Sequence, residues 1–349
     1  MNSLPLVSVI VMCRSEKHSI AECLDSLIAN DYPKERLELF VSDGMSEDGT
    51  RAILESYSKK HSFLKMVDNP KRIPASAANE GIRVARGDLI MIAGAHAVYP
   101  KDYISKCVAY AQKFPEADNI GGVRHTEPRT NTLVGRSIAY VSSHRLGSGT
   151  AGYHRSGNDP RWVESVWGGC YRREVFEKLG LFNEALVVGE DREFNRRLRS
   201  SGGKILQAPE ITCTYYSRSG IPDYTRWAFR MGFWPFYAER VSGKKLVSLR
   251  NFIPLAFVMA LVLALGVSTR APMGWYLLGA MLSVYVLASV ASAVTLAANQ
   301  KDFRYLVIVP AIFALTHIPY GVGSACGILK RVPPADRQLQ NSESTLPVS

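Results

Sequence analysis

The sequence predicts an α/β domain with a mostly parallel sheet, followed by C-terminal transmembrane helices. Two observations support this. Over the first 250 residues, short apolar runs alternate with amphipathic segments, and strand–helix alternation is typical of a mostly parallel sheet. After residue 250 come three long stretches without a charged residue, each close to or above the about 20 residues that a membrane-spanning helix needs.

The elements of the first part follow from the spacing of the apolar residues. The predicted strands are VSVIVMC, LELFVSDG, LKMVDNP and DLIMIAG. The predicted helices between them are SIAECLDSLIAN, DGTRAILESYSKKH and SAANEGIRVAR, the second with Ala52, Ile53 and Tyr57 at helical spacing. Sheets of this kind bind ligands at the carboxyl ends of their strands, so the residues just after each strand are the first candidates for a site.

The uncharged stretches predict a membrane domain over residues 251–330 with about three helices, at 251–269, 272–298 and 304–329. Buried core helices are the alternative. Three basic residues precede the first helix: Lys244, Lys245 and Arg250. By the positive-inside rule they predict a cytosolic N-terminal domain. Three spans then put Lys330 and Arg331 outside, so either the last segment is re-entrant or the charge bias is weak.

A segment rich in aromatic residues and arginine, 221–245, separates the N-terminal domain (1–220) from the membrane domain. Its motif IPDYTRWAFRMGFWPFYAER is typical of an amphipathic helix at the membrane interface, with aromatic rings at headgroup level and arginines near phosphates. An ordinary core helix is the alternative. The last residues, 331–349, are polar and rich in Pro and Ser, and predict a disordered tail.

Composition excludes several function classes. The net charge is +11, from 42 Lys and Arg against 31 Asp and Glu, but no basic run exceeds two residues, so nucleic-acid binding is not predicted. None of the six cysteines forms a C-x-x-C pair, which indicates reduced thiols. There is no GxGxxG after the first strand and no GxxxxGK[ST], so neither a dinucleotide site nor a P-loop is supported.

The candidate site residues lie at strand ends and at one helix start. Asp43 ends the second strand, where a carboxylate can accept hydrogen bonds from a base or ribose; a turn or capping role is the alternative. Glu190 and Asp191 open a helix whose Phe194 and Leu198 face inward. An ionised carboxylate at that position can act as a general base towards an alcohol, although two dipole-stabilising acids are the simpler interpretation.

Four motifs occur together in order: VSVIVMCRSE, FVSDGMSEDGT, AANEGIRVARGDLIMIAGAHAVYP and GEDREFNRRLRSSGG. With them, residues 5–245 closely resemble glycosyltransferase family 2, the inverting enzymes with the GT-A fold. Within that family the chain is most similar to bacterial membrane-associated exopolysaccharide transferases of the succinoglycan glucosyltransferase type. The resemblance implies a GT-A domain with membrane helices after it.

The resemblance also assigns roles to single residues. It implies that the donor nucleotide is bound at Cys13, Arg14, Glu16, Asp43 and Ala95. Gly94, Ala95 and His96 occupy the place of the family's Asp-x-Asp metal element, with His96 as the implied ligand of Mn²⁺ or Mg²⁺ and Gly94 in place of the first carboxylate. Gly168 and Gly169 match a turn near the donor sugar. Glu190 and Asp191 match the catalytic acids, with Asp191 as the base.

The resemblance implies transfer of a hexose from a UDP-sugar, such as UDP-glucose, to a polyprenyl-diphosphate-linked saccharide. It places the enzyme as a multi-pass protein in the bacterial inner membrane, with a cytosolic catalytic domain and other polysaccharide-assembly proteins as partners. Two other classes stay open. Gly94 leaves room for a catalytically weak subunit of an assembly complex, and nucleotide-sugar binding is shared with nucleotidyltransferases. Release of UDP rather than pyrophosphate distinguishes transfer from the second.

Overall fold

The computed structural model describes residues 4–148, 158–243 and 246–332. The chain divides into two compact units. The first comprises Met1–His125 and Thr150–Tyr216, and the second comprises Thr126–Gly149 and Ser217–Ser349. The predicted domain of residues 1–220 is therefore interrupted, because residues 126–149 belong to the second unit. This division is not visible in the sequence, because the apolar pattern of that segment does not show which helices it packs against.

Nine strands lie in the described part of the chain and form one sheet. They are β1 (Val7–Cys13), β2 (Leu37–Asp43), β3 (Leu64–Asp68), β4 (Leu89–Gly94), β5 (Ala97–Val98), β6 (Asn119–Pro128), β7 (Arg161–Trp162), β8 (Trp167–Arg172) and β9 (Ile205–Ser217). Their order is β3-β2-β1-β4-β8-β6-β9-β5, and β7 pairs with β9. The first four strands are parallel, and β8 joins β4 in antiparallel orientation.

The helices of the described residues are as follows. They are α1 (Ile20–Ile28), α2 (Thr50–Lys60), α3 (Pro74–Val84), α4 (Tyr103–Lys113), α5 (Leu133–Ser143), α6 (Arg145–Ser148), α7 (Arg173–Leu179), α8 (Glu190–Ser200), α9 (Ile221–Ser242), α10 (Leu249–Ser268), α11 (Met273–Gln300) and α12 (Tyr305–Leu329), with a 3₁₀ turn at Lys34–Arg36. The predicted strands and helices up to residue 94 are confirmed within a few residues. Ala52 is exposed, however, and Leu54 takes the buried position on α2.

Both faces of the parallel part of the sheet are buried. Val7, Val9 and Val11 of β1 face one apolar core, whereas Ile10 faces the other. This explains why β1 is a continuous apolar run rather than an alternating one. Helix α3 comes very close to the second face, because a Cβ on Gly81 would lie 2.4 Å from Ile10 Cγ2. The two cores hold the strand ends in fixed register, with Cys13 opposite Asp43 and Met12 opposite Gly94.

The second unit consists of helices. Three of them are long and apolar enough to cross a membrane: α10, α11 and α12. Their bounds lie within a few residues of the predicted ones. The predicted interfacial segment forms helix α9 up to Ser242, whereas residues 244 and 245, and the predicted tail from residue 333, lie outside the described residues. Helix α5 belongs to this unit, where Ile138 and Val141 pack in one cluster with Val309 and Phe313 of α12.

Candidate active site

The carboxyl ends of β1, β2 and β3 are followed by strained backbone. Ser15, Met45 and Arg72 have φ of 54°, 55° and 57°, a region that side chains disfavour. Such conformations cost about 1–3 kcal/mol each and cluster at functional sites. Arg14 bends across this edge and donates from Nη1 to the Arg72 carbonyl over 2.9 Å. A Cβ on Gly44 would lie 2.9 Å from Arg14 Cδ, so glycine makes room for the arginine.

Asp43 is fully buried at this edge. Its Oδ2 accepts from the Ser46 N–H at 2.9 Å and from Arg51 Nη1 at 2.9 Å, and its Oδ1 accepts from the Ser46 hydroxyl at 2.5 Å. Arg51 also contacts Asp68 Oδ1 at 2.8 Å. Both carboxylate oxygens thus already accept hydrogen bonds within the protein, and these bonds fix the turn after β2. The contact of Asp43 with a base or ribose stays a prediction.

Two other residues expected at the nucleotide, Cys13 and Ala95, are buried, with 4% and 1% of their surface exposed. The carbonyl of Cys13 accepts from the Gly44 N–H at 2.8 Å. Burial, with the charges of Asp43 and Glu16 adding to it, raises the pKa of the Cys13 thiol far above its usual range. The thiol is therefore neutral and shielded from solvent, and the Cys13 side chain is part of the apolar core.

His96 and Glu16 form a pair just beyond the strand ends. His96 Nδ1 lies 3.0 Å from Glu16 Oε1, and the other Glu16 oxygen accepts from the Ser19 hydroxyl. When the imidazole is neutral, donation from Nδ1 to the carboxylate leaves the lone pair on Nε2, the form that binds a metal. When the imidazole is protonated, the same pairing leaves Nε2–H as a donor for a phosphate oxygen.

The side chains that the structure describes at this edge do not form a metal site by themselves. Among the described residues, no group of three or more His, Cys, Asp or Glu side chains could hold a metal. His96 therefore offers one ligand nitrogen, oriented by the Glu16 carboxylate as the ring of a metal-binding histidine commonly is. The remaining ligands would have to be oxygens of the bound nucleotide and water. Mn²⁺ accepts such a mixed set more readily than Mg²⁺, which prefers oxygen alone.

An aromatic group that the sequence analysis missed surrounds His96 and Gly94. The Tyr215 ring meets the His96 ring edge-on at 4.9 Å and the Trp167 ring at 5.9 Å, and the Arg124 guanidinium lies 4.3 Å from its centre. A Cβ on Gly94 would be 3.3 Å from Trp167 Cζ2. The indole therefore lies beside Gly94, and a larger side chain at this position would contact it closely. Only the position of Trp167 directly before Gly168 could have pointed to it.

Gly168 and Gly169 begin β8 beside this group. Gly168 has φ of +62°, and its carbonyl accepts from the Tyr103 hydroxyl at 3.1 Å. A Cβ on Gly169 would lie 2.5 Å from Asn119 Oδ1. Both glycines are needed for backbone conformation and close packing, which accounts for them without a ligand. Their part in holding the donor sugar stays a prediction.

Glu190 and Asp191 open α8 after Gly189, which has φ of +88°. Glu190 is half-buried, whereas Asp191 is exposed, and Asp191 Oδ1 accepts from the Arg192 N–H at 2.8 Å. Burial, and after it the neighbouring Asp191 charge, raise the pKa of Glu190 to about 8, while the backbone N–H groups of the helix start act in the opposite direction. The two acids thus differ in environment, with a Glu190 that holds its proton beside an exposed Asp191.

A buried polar network lies beneath these acids. Asn195 Oδ1 accepts from the Tyr171 hydroxyl at 2.9 Å and from Asn119 Nδ2 at 3.2 Å, and Asn195 Nδ2 donates to Ser165 Oγ at 2.9 Å. Burial, followed by the Asp191 charge, raises the pKa of Tyr171 far above its usual range, so the hydroxyl stays a donor. The network joins α8 to β8 and β6, and therefore fixes the acids relative to Gly168 and Gly169.

The raised pKa of Glu190 predicts a pH-dependent stability. The folded protein holds this proton more tightly than the unfolded chain, so its stabilising effect is full at acidic pH and is lost as the pH rises towards about 8. We expect the thermal unfolding midpoint of the wild type to fall more between about pH 6 and about pH 9 than that of Glu190→Gln. Tryptophan fluorescence in detergent measures it. Parallel curves for the two proteins would contradict the assignment.

Comparison with known proteins agrees with this geometry. The family model described as glycosyl transferase family 2 matches residues 8–180. A dolichyl N-acetyl-α-D-glucosaminyl phosphate 3-β-D-2,3-diacetamido-2,3-dideoxy-β-D-glucuronosyltransferase of Methanococcus voltae is 26% identical, over 93% of this chain and 97% of its own. Succinoglycan biosynthesis protein ExoA of Rhizobium meliloti is 26% identical, over 71% of this chain and 74% of its own.

A solved structure supports the fold. The mannosyltransferase PcManGT from Pyrobaculum calidifontis, in complex with GDP-Man and Mn²⁺, aligns with a TM-score of 0.59 at 21% identity, covering 95% of this chain and 89% of its own. The mixed sheet with flanking helices is therefore of the GT-A type, as the sequence predicted. With the family model, the two relatives and this fold in agreement, the chain belongs to glycosyl transferase family 2 and is a glycosyltransferase.

Proposed function

We propose that the protein transfers a hexose from a nucleoside-diphosphate sugar, UDP-hexose first, to a hydroxyl of a lipid-linked saccharide, with inversion at the anomeric carbon. The observation that supports this most directly is that the two acids at the start of α8 differ in protonation and in exposure. Glu190 holds its proton at neutral pH, whereas Asp191 is exposed. A single displacement needs one base for the acceptor hydroxyl, and this pair supplies one.

In the proposed reaction, Asp191 accepts the proton of the acceptor hydroxyl as its oxygen attacks the anomeric carbon. The bond from that carbon to the diphosphate breaks at the same time, and the nucleoside diphosphate leaves with the bonding electron pair. Glu190, being neutral, adds no second negative charge beside the base. The Tyr171–Asn195 network holds α8 so that the base keeps its direction.

The donor would lie across the carboxyl ends of β1, β2 and β4. Arg14 is the cationic side chain that bends over this edge, and His96 faces the same edge with Glu16 on its Nδ1 side. A divalent cation bound through His96 Nε2 would neutralise charge on the diphosphate. Protonated His96 would donate a hydrogen bond there instead. PcManGT, which shares the fold, is described with GDP-Man and Mn²⁺, and this supports testing Mn²⁺ and guanosine donors as well.

A lipid-linked acceptor is supported by the relatives and by the second unit. The Methanococcus voltae relative is named for a dolichyl phosphate-linked sugar, and the Rhizobium meliloti relative for succinoglycan biosynthesis. Three helices of this chain are long and apolar enough to cross a membrane. We place the protein in a cytoplasmic membrane with the first unit on the cytosolic side, where nucleotide sugars are made, working beside other enzymes of polysaccharide assembly.

The test is an assay of membranes that contain the full-length protein, with a panel of radiolabelled UDP- and GDP-sugars. Transfer of label into the organic extract, with release of the nucleoside diphosphate, is the expected result. Membranes with Asp191→Asn serve as the matched control. Release of pyrophosphate would indicate a nucleotidyltransferase, and absence of donor turnover across the panel would indicate an assembly subunit. Either result would overturn the proposal.

A further inference from the structure

Helices α9 and α12 lie side by side and run in the same direction. The Tyr224 and Thr316 hydroxyls are 2.8 Å apart, Ser324 Oγ donates to the Gly232 carbonyl at 3.4 Å, and Arg240 Nη1 donates to the Lys330 carbonyl at 2.5 Å. The three pairs are separated by 92, 92 and 90 residues. A nearly constant separation means that each step along α9 is matched by one along α12, as in a parallel pair.

Glycines let the two backbones touch. A Cβ on Gly232 would lie 2.0 Å from the Tyr320 carbonyl oxygen, and a Cβ on Gly323 would lie 2.2 Å from the Phe229 carbonyl oxygen. Gly327 meets the Phe233 carbonyl oxygen in the same way, at 2.3 Å. Contacts of this kind leave no room for one helix to turn away from the other. The two helices therefore have the same orientation relative to a bilayer.

The charges on α9 conflict with a membrane crossing by α12. Thr316, the partner of Tyr224, is the twelfth of the 25 residues of α12. The Asp223–Arg226 ion pair therefore lies level with the middle of α12, and its side chains are 67% and 71% exposed. In a spanning α12 these charges would lie near the bilayer centre, where a charged side chain is costly to insert. Arg230 is exposed on the same helix.

We propose that α12 does not cross the bilayer. Together with α9 and α5 it lies along one membrane face, at the boundary between headgroups and acyl chains, and α10 and α11 alone form the membrane-spanning hairpin. The partner of this surface is a lipid bilayer, with arginines of α9 at the headgroups. The number of spans is then two, and the chain returns after α11 to the face from which it entered.

The surface of α12 fits this position. Its exposed apolar residues are Val307, Ala311, Ile318, Val322, Cys326, Ile328 and Leu329. At 100° per residue all of them except Ile328 fall within an arc of about 100°, which is the width of one helix face. Helices α5, α9, α10 and α11 cover the other faces. The cluster with α5 also contains Ala293 of α11, and a Cβ on Gly321 would lie 2.4 Å from the Pro254 carbonyl oxygen of α10. On α11, by contrast, large apolar side chains are exposed in runs such as Trp275, Tyr276 and Leu277, as expected where lipid surrounds a helix.

The positions of the basic residues agree with two membrane spans. Lys301 and Arg304 precede α12, and Lys330 and Arg331 follow it. Three spans would place these two pairs on opposite sides of the membrane, against the positive-inside rule. With two spans both pairs lie on one side, and the short connection from α10 to α11, with Arg270, lies on the other. The charge conflict in the sequence disappears.

Cysteine labelling tests the proposal in the full-length protein. Cys326 is the exposed native cysteine and the other five are buried, so a Cys326→Ser background leaves few reactive thiols. Into it we would introduce Arg270→Cys, Lys301→Cys or Lys330→Cys, each at an exposed position outside the proposed site. Sealed vesicles of one orientation are treated with a membrane-impermeant maleimide, and labelling in detergent gives the total for each variant.

The expected result is that Lys301→Cys and Lys330→Cys react from the same side and Arg270→Cys from the other. Three spans instead predict that Lys330→Cys reacts together with Arg270→Cys, and that result would overturn the proposal. Protection of Lys330→Cys from both sides, with full reaction in detergent, would also overturn it, because it would place the end of α12 inside the bilayer. The readout does not depend on catalysis, so it stands apart from the proposed transfer reaction.

Discussion

Replacing Asp191 with asparagine is expected to lower the rate of sugar transfer by about 10²–10⁴-fold, the usual loss when a positioned base is removed. Asparagine keeps the shape of the side chain and the acceptor oxygen that faces the Arg192 N–H, so the start of α8 should be retained. Donor binding, measured by titration with the nucleoside diphosphate, should change little. The turnover number, rather than the Michaelis constant, carries the effect.

Two matched variants give this experiment its controls. Glu190→Gln replaces a carboxyl group that is already neutral at pH 7, so its rate should fall much less than that of Asp191→Asn. Asp102→Asn removes an exposed carboxylate just before another helix, where it pairs with Lys106, and should leave the rate unchanged. If Asp191→Asn turned over at nearly the wild-type rate while Glu190→Gln did not, the roles of the two acids would be exchanged.

Replacing His96 with alanine is expected to lower activity by about 10²–10³-fold, the range seen when one group that stabilises developing charge is removed. Glu16→Gln should act through the same ring. Glutamine keeps the size of the side chain but weakens the hydrogen bond to His96 Nδ1. Loss of a hydrogen-bond partner that orients a metal ligand typically lowers metal affinity by about 10–100-fold. The measurement is activity against Mn²⁺ concentration, in which Glu16→Gln should shift the midpoint upwards.

The control for this pair is His18→Ala, which removes an exposed imidazole from the same end of the sheet. Its Mn²⁺ curve should match the wild type. Full wild-type activity in EDTA would rule out a metal at His96. In that case His96 would donate a hydrogen bond directly to the diphosphate. An unchanged rate in His96→Ala would contradict both roles of His96, as a metal ligand and as a direct contact to the diphosphate.

The sequence predicts the parallel half of the sheet well because its signals are local. The apolar runs that become β1 and β4, and the glycine and acids at the start of α8, can each be recognised within a dozen residues. The site around them is harder to foresee. In the sequence, Asp43 looks available to a ligand at the end of β2. In the structure its carboxylate pairs with Arg51 of the following helix, and sequence spacing does not determine the Arg51 rotamer.

The parts that could not be predicted depend on distant pairings. Tyr215 reaches His96 only because the short strand β5 pairs with β9, and neither the bounds of β5 nor its partner is visible in two residues. In the same way, Ile138 and Val141 form the apolar face of an ordinary amphipathic helix. Nothing in that face tells whether it will pack on the sheet or, as observed, with α12.

The membership of residues 126–149 in the helical unit has a consequence for how the chain is made. His317 Nε2 lies 2.7 Å from the Leu146 carbonyl oxygen, although 171 residues separate them. At about 5–20 residues per second, a ribosome needs on the order of 10–30 s to synthesise that interval. Until α12 is made, Ile138 and Val141 of α5 lack the cluster residues Val309 and Phe313. Folding therefore cannot be completed in order from the N-terminus. A nascent chain that stalls before α12 would expose an apolar face of α5, to which chaperones can bind.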